Sequence, residues 1–337
     1  MGTKPSPQVD LTQIYAPVQA DLAALPEMLR DELRADDSFI GELVAHVLST
    51  RGKLVRPALV FLSAQACRAE IAAPPPGAKD EEMLVAAAVE LIHVASLIHD
   101  DVIDQADLRR GSATVNTRWG NQVAVLLGDY LFAKSFHLLS RISHPEVAPG
   151  IAMATVRMSQ AEIKQIKYGG TPHTQEQIYL DIIDGKTAWL FSAACRCGAL
   201  VVGASEARAA ALADFGLNWG MAFQIVDDAL DVTSSTQALG KPIGSDINTG
   251  KITLPTIIAL KRSAPADRER LERLLTSPDG GLDEVREIIA RCDGVGEALR
   301  TAEAYTARAA AALTALNASP ARTGLLDLTT FVLQRQH

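Results

Sequence analysis

Cysteine is scarce in this 337-residue chain. There are four (Cys67, Cys195, Cys197 and Cys292), with no Cys-x-x-Cys pair and nothing like the density of a disulfide framework. A disulfide-stapled scaffold is excluded, and a reduced, cytoplasmic compartment fits best. Net positive charge is also missing: the formal net charge is −8, which argues against a general nucleic-acid surface. Behind Met1-Gly2-Thr3-Lys4-Pro5-Ser6-Pro7 lies no apolar signal core, and residues 1–10 are expected to be disordered. No stretch reads as long, apolar and charge-free enough to span a bilayer, so a lipid substrate or product would be met from the water side. No region alternates with period two over a useful length, and no hairpin turn separates alternating runs. Aromatic residues make up only 5% of a chain that is 48% hydrophobic, which leaves enough apolar side chains for one large core or two domains.

What is present reads as helix after helix. Apolar residues recur every three to four positions over roughly 81–104, 120–141, 147–168, 174–200 and 205–231. Pro74-Pro75-Pro76-Gly77 is a loop, and Ser143-His144-Pro145 and Gly169-Gly170-Thr171-Pro172 are breaks. No composition shift marks a boundary, so one all-α domain over 1–337 is the simplest account. The longest Gly/Ser/Thr-rich break runs from Thr233 to Gly250. A loop of that length is usually functional or disordered, and residues 232–251 are therefore expected to form a mobile active-site lid.

That lid would follow the second of two similar aspartate clusters, Asp100-Asp101-Val102-Ile103-Asp104 and Asp227-Asp228-Ala229-Leu230-Asp231. On a helix, positions i and i+4 share a face and i+1 lies about 100° away. Each cluster thus lines one edge with carboxylates, in apolar sequence where unpaired Asp is rarely buried. Two such clusters suggest facing carboxylate walls that hold hard cations. Mg²⁺ suits them, since it takes carboxylate and phosphate oxygens together. Candidate phosphate-binding cations stand nearby in Arg51-Gly52-Lys53-Leu54-Val55-Arg56-Pro57, Arg109-Arg110-Gly111, Asp184-Gly185-Lys186-Thr187, Gly240-Lys241-Pro242 and Gly250-Lys251. Each alone reads equally as a solvated face. His93 lies two helical turns before Asp100 on the same face, where a core histidine is the plain alternative. Gly185, costly inside a helix, marks either a kink exposing carbonyls or simple packing.

The run from Glu90 through His93, His99 and Asp100 to Asp104, with Leu108-Arg109-Arg110-Gly111 and Gly128-Asp129-Tyr130-Leu131, resembles the first aspartate-rich motif of the trans-isoprenyl diphosphate synthases, the polyprenyl synthetase family. Phe223-Gln224-Ile225-Val226-Asp227-Asp228-Ala229-Leu230-Asp231 resembles the second. Gly240-Lys241-Pro242, Asp246 and Gly250-Lys251-Ile252-Thr253-Leu254-Pro255 resemble its continuation. The likeness runs from about residue 40 to the closing helices. One departure is at Gly52-Lys53, where the family usually has two glycines and a further base before Arg56.

The resemblance implies a single-domain, isoprenoid synthase-type helical bundle around a central cavity, acting as a homodimer built on helices near 120–141. It implies head-to-tail addition of isopentenyl diphosphate to an allylic diphosphate, with three Mg²⁺ per site once substrate is bound. By the same likeness, Asp100, Asp101, Asp104, Asp227, Asp228 and Asp231 hold metal. Arg109, Lys186, Thr187, Gln224 and Lys241 hold the allylic diphosphate, and Lys53, Arg56, His93 and Arg110 hold isopentenyl diphosphate. Asp100, Asp104, Lys186, Thr187, Gln224 and Asp227 carry the chemistry. Chain length would be set by Ala95, Ser96 and Ile92, with Met153 and Val156 at the floor. Small residues at 95 and 96 point to a C30–C50 product, centred on C40. Peripheral membrane contact for product release is left open. Rival readings are a shorter-chain synthase, a terpene cyclase, a non-catalytic synthase subunit, and an HD-type phosphohydrolase built on His99-Asp100 with further histidines among His46, His93 and His137.

Overall fold

The computed structural model describes residues 10–49, 52–68, 71–233, 245–276 and 281–335. In chain order the helices are α1 (Leu11–Tyr15), α2 (Gln19–Glu32), α3 (Ser38–Ser49), α4 (Val55–Arg68), α5 (Ala78–Ile103), α6 (Val115–Trp119), α7 (Asn121–Leu139), α8 (Val147–Tyr168), α9 (Glu176–Ile183) and α10 (Trp189–Val201). They continue with α11 (Glu206–Thr233), α12 (Ser245–Asn248), α13 (Leu254–Arg262), α14 (Pro265–Leu275), α15 (Leu282–Arg291), α16 (Gly294–Ala312) and α17 (Pro320–Gln334). The expected all-α architecture is what is found, with one small exception. After the first aspartate cluster, β1 (Leu108–Arg109) and β2 (Ser112–Ala113) pair antiparallel. The sequence reading found no hairpin because strands of two residues leave no alternation to see.

Most α-helix bounds fall within a few residues of the periodicity. The 174–200 segment is α9, a π-helical stretch (Asp184–Ala188) and α10 in one continuous run. Asp10 is ordered as the N-cap of α1, its side chain accepting from the Thr12 N–H. Residues 1–9 and most of the expected lid, with Lys241 in it, lie outside the described residues.

A shared hydrophobic core runs from Ile14 on α1 to Val332 on α17. At its centre, α5 buries every position from Leu84 to Ile92. This corrects the bilayer reading: α5 contains an 18-residue window of mean hydropathy 1.5, long and apolar enough to cross a membrane. Its apolar surface is instead covered by α4, α7 and α10, and 61% of that window is buried. Helix α10 packs in turn on α4, α8 and α11, and α16 backs α11. The two aspartate clusters emerge at the C-terminal ends of α5 and α11, where both helices flank one cavity.

Candidate active site

The cavity measures about 1120 Å³ and is walled by α5, α8, α11, the π segment and the hairpin. Asp100, Asp104, Asp227, Asp228 and Asp231 all line it. Asp101 does not. It lies one residue round the helix, 5% exposed, and accepts from Arg109 Nε at 2.8 and 3.0 Å and from Nη2 at 2.7 Å. Its charge is matched by Arg109, and it turns away from the cavity that the sequence reading had it face as a metal ligand.

The other carboxylates also have resident partners. Lys251 Nζ sits 2.7 Å from Asp104, and Lys186 Nζ sits 3.6 Å from Asp100 and 2.5 Å from Glu162. Arg335 Nη2 is 3.0 Å from Asp227. Asp228 is buried and accepts from the Tyr179 hydroxyl at 2.6 Å and from Gln224 Nε2 at 2.8 Å. Burial, with Asp246 adding to it, pushes its carboxyl well above the usual range. Asp231 accepts from the Asp246 backbone N–H at 3.1 Å. Among the described residues no three His, Cys, Asp or Glu side chains converge into one metal-sized cluster. The carboxylates line a shared cavity instead, a hard all-oxygen set to which an Mg²⁺–diphosphate fits.

Thr187 donates to Gln224 Oε1 at 2.8 Å, so Thr187, Gln224, Asp228 and Tyr179 form one chain. Thr187 and Gln224 both line the cavity, with the Gln224 carbonyl already accepting from Thr187. The π segment that carries Lys186 and Thr187 is pressed onto α8. A Cβ on Gly185 would stand 2.8 Å from Ala161 Cβ and 2.9 Å from the Arg157 carbonyl. Packing and an irregular helix both hold at Gly185, and π insertions recur at functional sites.

A second basic group also lines the cavity. Lys53, Arg56, His93 and Arg110 line the cavity with the buried Glu90. The Arg110 backbone is left-handed (φ 53), and its guanidinium lies so close to Gly52 that a Cβ there would meet Nη1 at 2.8 Å. Arg56 stacks over Phe191 at 4.4 Å, and burial lowers it to about 10 despite Glu90. Burial, then Arg56 and Arg110, holds His93 well below the usual histidine range, so it is neutral. The Tyr15 hydroxyl donates to the Lys53 carbonyl at 3.2 Å, bracing this group from α1.

Ser96 reaches the cavity, but Ala95 and Ile92 are fully buried at 0% exposure and lie off its lining. Met153 and Val156 face outward, 49% and 47% exposed. The α8 residues that line the cavity are Thr155, Met158, Ser159, Glu162, Ile163, Gln165 and Ile166; Met153 and Val156 are not among them. His99 Nε2 pairs with the Val125 carbonyl at 3.0 Å, which ties α5 to α7. Glu162, Tyr179 and Arg335 were missed as site residues. Lys251, noted as a candidate cation without a role, lines the cavity against Asp104, and only folding brings Arg335 to an aspartate 108 positions earlier.

Residues 37–292 match the polyprenyl synthetase family. An all-trans-nonaprenyl-diphosphate synthase (geranyl-diphosphate specific) of Rhodobacter capsulatus is 36% identical over 331 residues, covering 97% of this chain and 99% of that protein. A short chain isoprenyl diphosphate synthase of Methanothermobacter thermautotrophicus is 39% identical over 297 residues, covering 87% and 89%. The crystal structure of a Caulobacter crescentus polyprenyl synthase, complexed with calcium and isoprenyl diphosphate, superposes with a TM-score of 0.90 at 33% identity, covering 99% of this chain and 100% of that one. With both aspartate motifs on one cavity and matches of this extent, the chain belongs to the polyprenyl synthetase family.

Proposed function

We propose that this enzyme extends an allylic diphosphate head to tail with isopentenyl diphosphate, forming an all-trans polyprenyl diphosphate of C30–C50. The observation that carries the reading is one cavity lined by both aspartate motifs, by Lys186, Lys251 and Arg109, by Lys53, Arg56, Arg110 and His93, and by apolar side chains among them. Lys186, Lys251 and Arg109 meet the allylic diphosphate, as does Lys241, which the family motif adds. Lys53, Arg56, Arg110 and neutral His93 meet the second diphosphate, where an uncharged imidazole donates one N–H without adding a fourth charge.

The allylic C–O bond breaks, the isopentenyl double bond attacks the cation, and the departed diphosphate takes the proton lost from the new chain. Asp100, Asp104 and Asp227 would hold Mg²⁺, whose charge offsets the leaving diphosphate. Lys186 and Arg109 supply fixed charge to the same leaving group. Asp101 keeps Arg109 aimed, and the Thr187–Gln224–Asp228–Tyr179 chain fixes the oxygens near the reacting carbon. Leu97, Phe132 and Met158 keep water from the cation.

The product grows past Ser96 between α5 and α8. Likeness to the nonaprenyl-diphosphate synthase supports a long product, and the archaeal short-chain relative makes length the quantity to measure. Purified protein with Mg²⁺, isopentenyl diphosphate and several allylic primers should give prenyl chains of C30–C50. Products ending at C15 would overturn the length, and release of phosphate alone would overturn the reaction.

The chain is further proposed to be a cytoplasmic homodimer. Exposed Val125 and Leu126 on α7, in the segment the family likeness assigns to the interface, support this. The four free thiols support the compartment. Sedimentation showing monomer alone at micromolar concentration would overturn the dimer.

A further inference from the structure

Among the described residues that line the cavity from α8, Glu162 alone is charged. Its Oε2 lies 2.5 Å from Lys186 Nζ, and that ammonium stands 3.6 Å from Asp100 Oδ2. Lys186 thus sits between carboxylates on two helices, nearer the one on α8. All three side chains are a quarter exposed or less. Burial would lower the Lys186 pKa, but Asp100 and Glu162 outweigh it and raise it, so the group is a firm cation. Burial likewise pushes the Glu162 carboxyl up, while Lys186 and then Lys251 pull it down. Lys251 is itself held 2.7 Å from Asp104.

An ammonium in contact with Asp100 competes with any other cation at that carboxylate, and the competition is strong where solvent is scarce. The position of Lys186 therefore decides how open Asp100 is. This step rests on the prenyl-transfer reading, which makes Asp100 a metal ligand. We infer that Glu162 is a positioning residue: it holds the Lys186 ammonium on the α8 side of the cavity and so keeps Asp100 open to the metal that accompanies the allylic diphosphate. Without the Glu162 charge, Asp100 is the nearest carboxylate left to Lys186, and the 3.6 Å separation closes. Metal must then displace an internal ion pair, and Lys186 must leave that pair before it can reach a phosphate oxygen. Neither Glu162 nor Lys186 is among the charges that act on Lys53, Arg56 or His93.

The test is the Mg²⁺ dependence of inorganic diphosphate binding, read by calorimetry on the full chain and independent of turnover. Glu162→Gln should raise the half-saturating Mg²⁺ concentration about fivefold, the size expected for a pair of coupled neighbours. The Mg²⁺ dependence of turnover should shift in parallel, while KM for isopentenyl diphosphate at saturating Mg²⁺ stays unchanged. Glu162→Asp, which keeps the charge on a shorter arm, should give a smaller rise; it carries the test if Glu162→Gln does not fold. In a Lys186→Ala background, Glu162→Gln should produce no further shift, because the competitor is gone. An unchanged Mg²⁺ midpoint in both Glu162 variants would overturn the inference. So would a shift that persists without Lys186, which would make Glu162 a ligand or a packing residue. Wild-type protein that binds no diphosphate with Mg²⁺ and forms no prenyl product would instead overturn the underlying reaction.

Discussion

The two aspartate clusters share a spelling and little else. At the end of α5, Asp100 and Asp104 face the cavity with lysines as partners, and Asp101 turns inward to Arg109. At the end of α11, Asp227 is the open one, its side chain 46% exposed beside Arg335. Asp228 and Asp231 are buried, met by a tyrosine hydroxyl, a glutamine amide and a backbone N–H. The first wall is therefore met by cations at all three aspartates, while two of the second wall's three are held by neutral donors. Equal spacing gives equal projection from a helix, but the packed neighbours decide which carboxylate is available.

The largest effects should break the walls themselves. Asp100→Ala or Asp227→Ala should lower kcat by about 10³-fold, measured as prenyl transfer in Mg²⁺. The melting temperature should hold, since each change relieves like-charge crowding. Near-wild-type turnover in the double variant would end the two-wall description.

Next come the two basic groups. Lys53→Ala or Arg56→Ala should raise KM for isopentenyl diphosphate by about tenfold to 100-fold, while Lys186→Ala should act mainly on the allylic substrate. If all three shifted both substrates alike, the two diphosphate positions would not be separate.

A third change sharpens the contrast between lining and core on α5. Ser96→Phe should shorten the product and keep the first condensation. Ala95→Phe should instead lose about 1–3 kcal/mol of stability by overpacking a fully buried position. A melting curve beside a product-length assay separates the two.

The smallest effect is on acid tolerance. His93 is held neutral, below its unfolded value of 6.5, so the unfolded chain binds the extra proton. Stability should fall as pH drops through 6.5 towards the folded value. Glu90, raised by burial, works in the opposite sense at lower pH. His93→Gln should therefore flatten the melting-temperature profile just below pH 6.5, and an unchanged slope would contradict a neutral imidazole in the folded protein.

Much of this was legible beforehand because it is periodic or local. Helices α5, α7, α8 and α11 announce themselves by apolar spacing, and both aspartate clusters by their contrast with apolar flanks. What escaped depends on rotation and distance. Ala95 and Ser96 differ by 100° on one helix, and sequence alone does not say which faces the cavity. Met153 and Val156 failed for the same reason. The two-residue strands are too short for a pattern. Glu162 looked like any solvated helix charge, and Tyr179 like any core aromatic. Arg335 meets its aspartate only through tertiary packing.

The brace from Tyr15 to Lys53 and the reach of Arg335 to Asp227 have a kinetic consequence. Helix α1 packs on α17, so the pocket for the second diphosphate is finished only when opposite ends of the described chain meet. Loop closure of that span is among the slowest contacts a chain makes. During refolding from denaturant, helical signal should return before catalytic competence does, and the interval between them times the docking of the last helix.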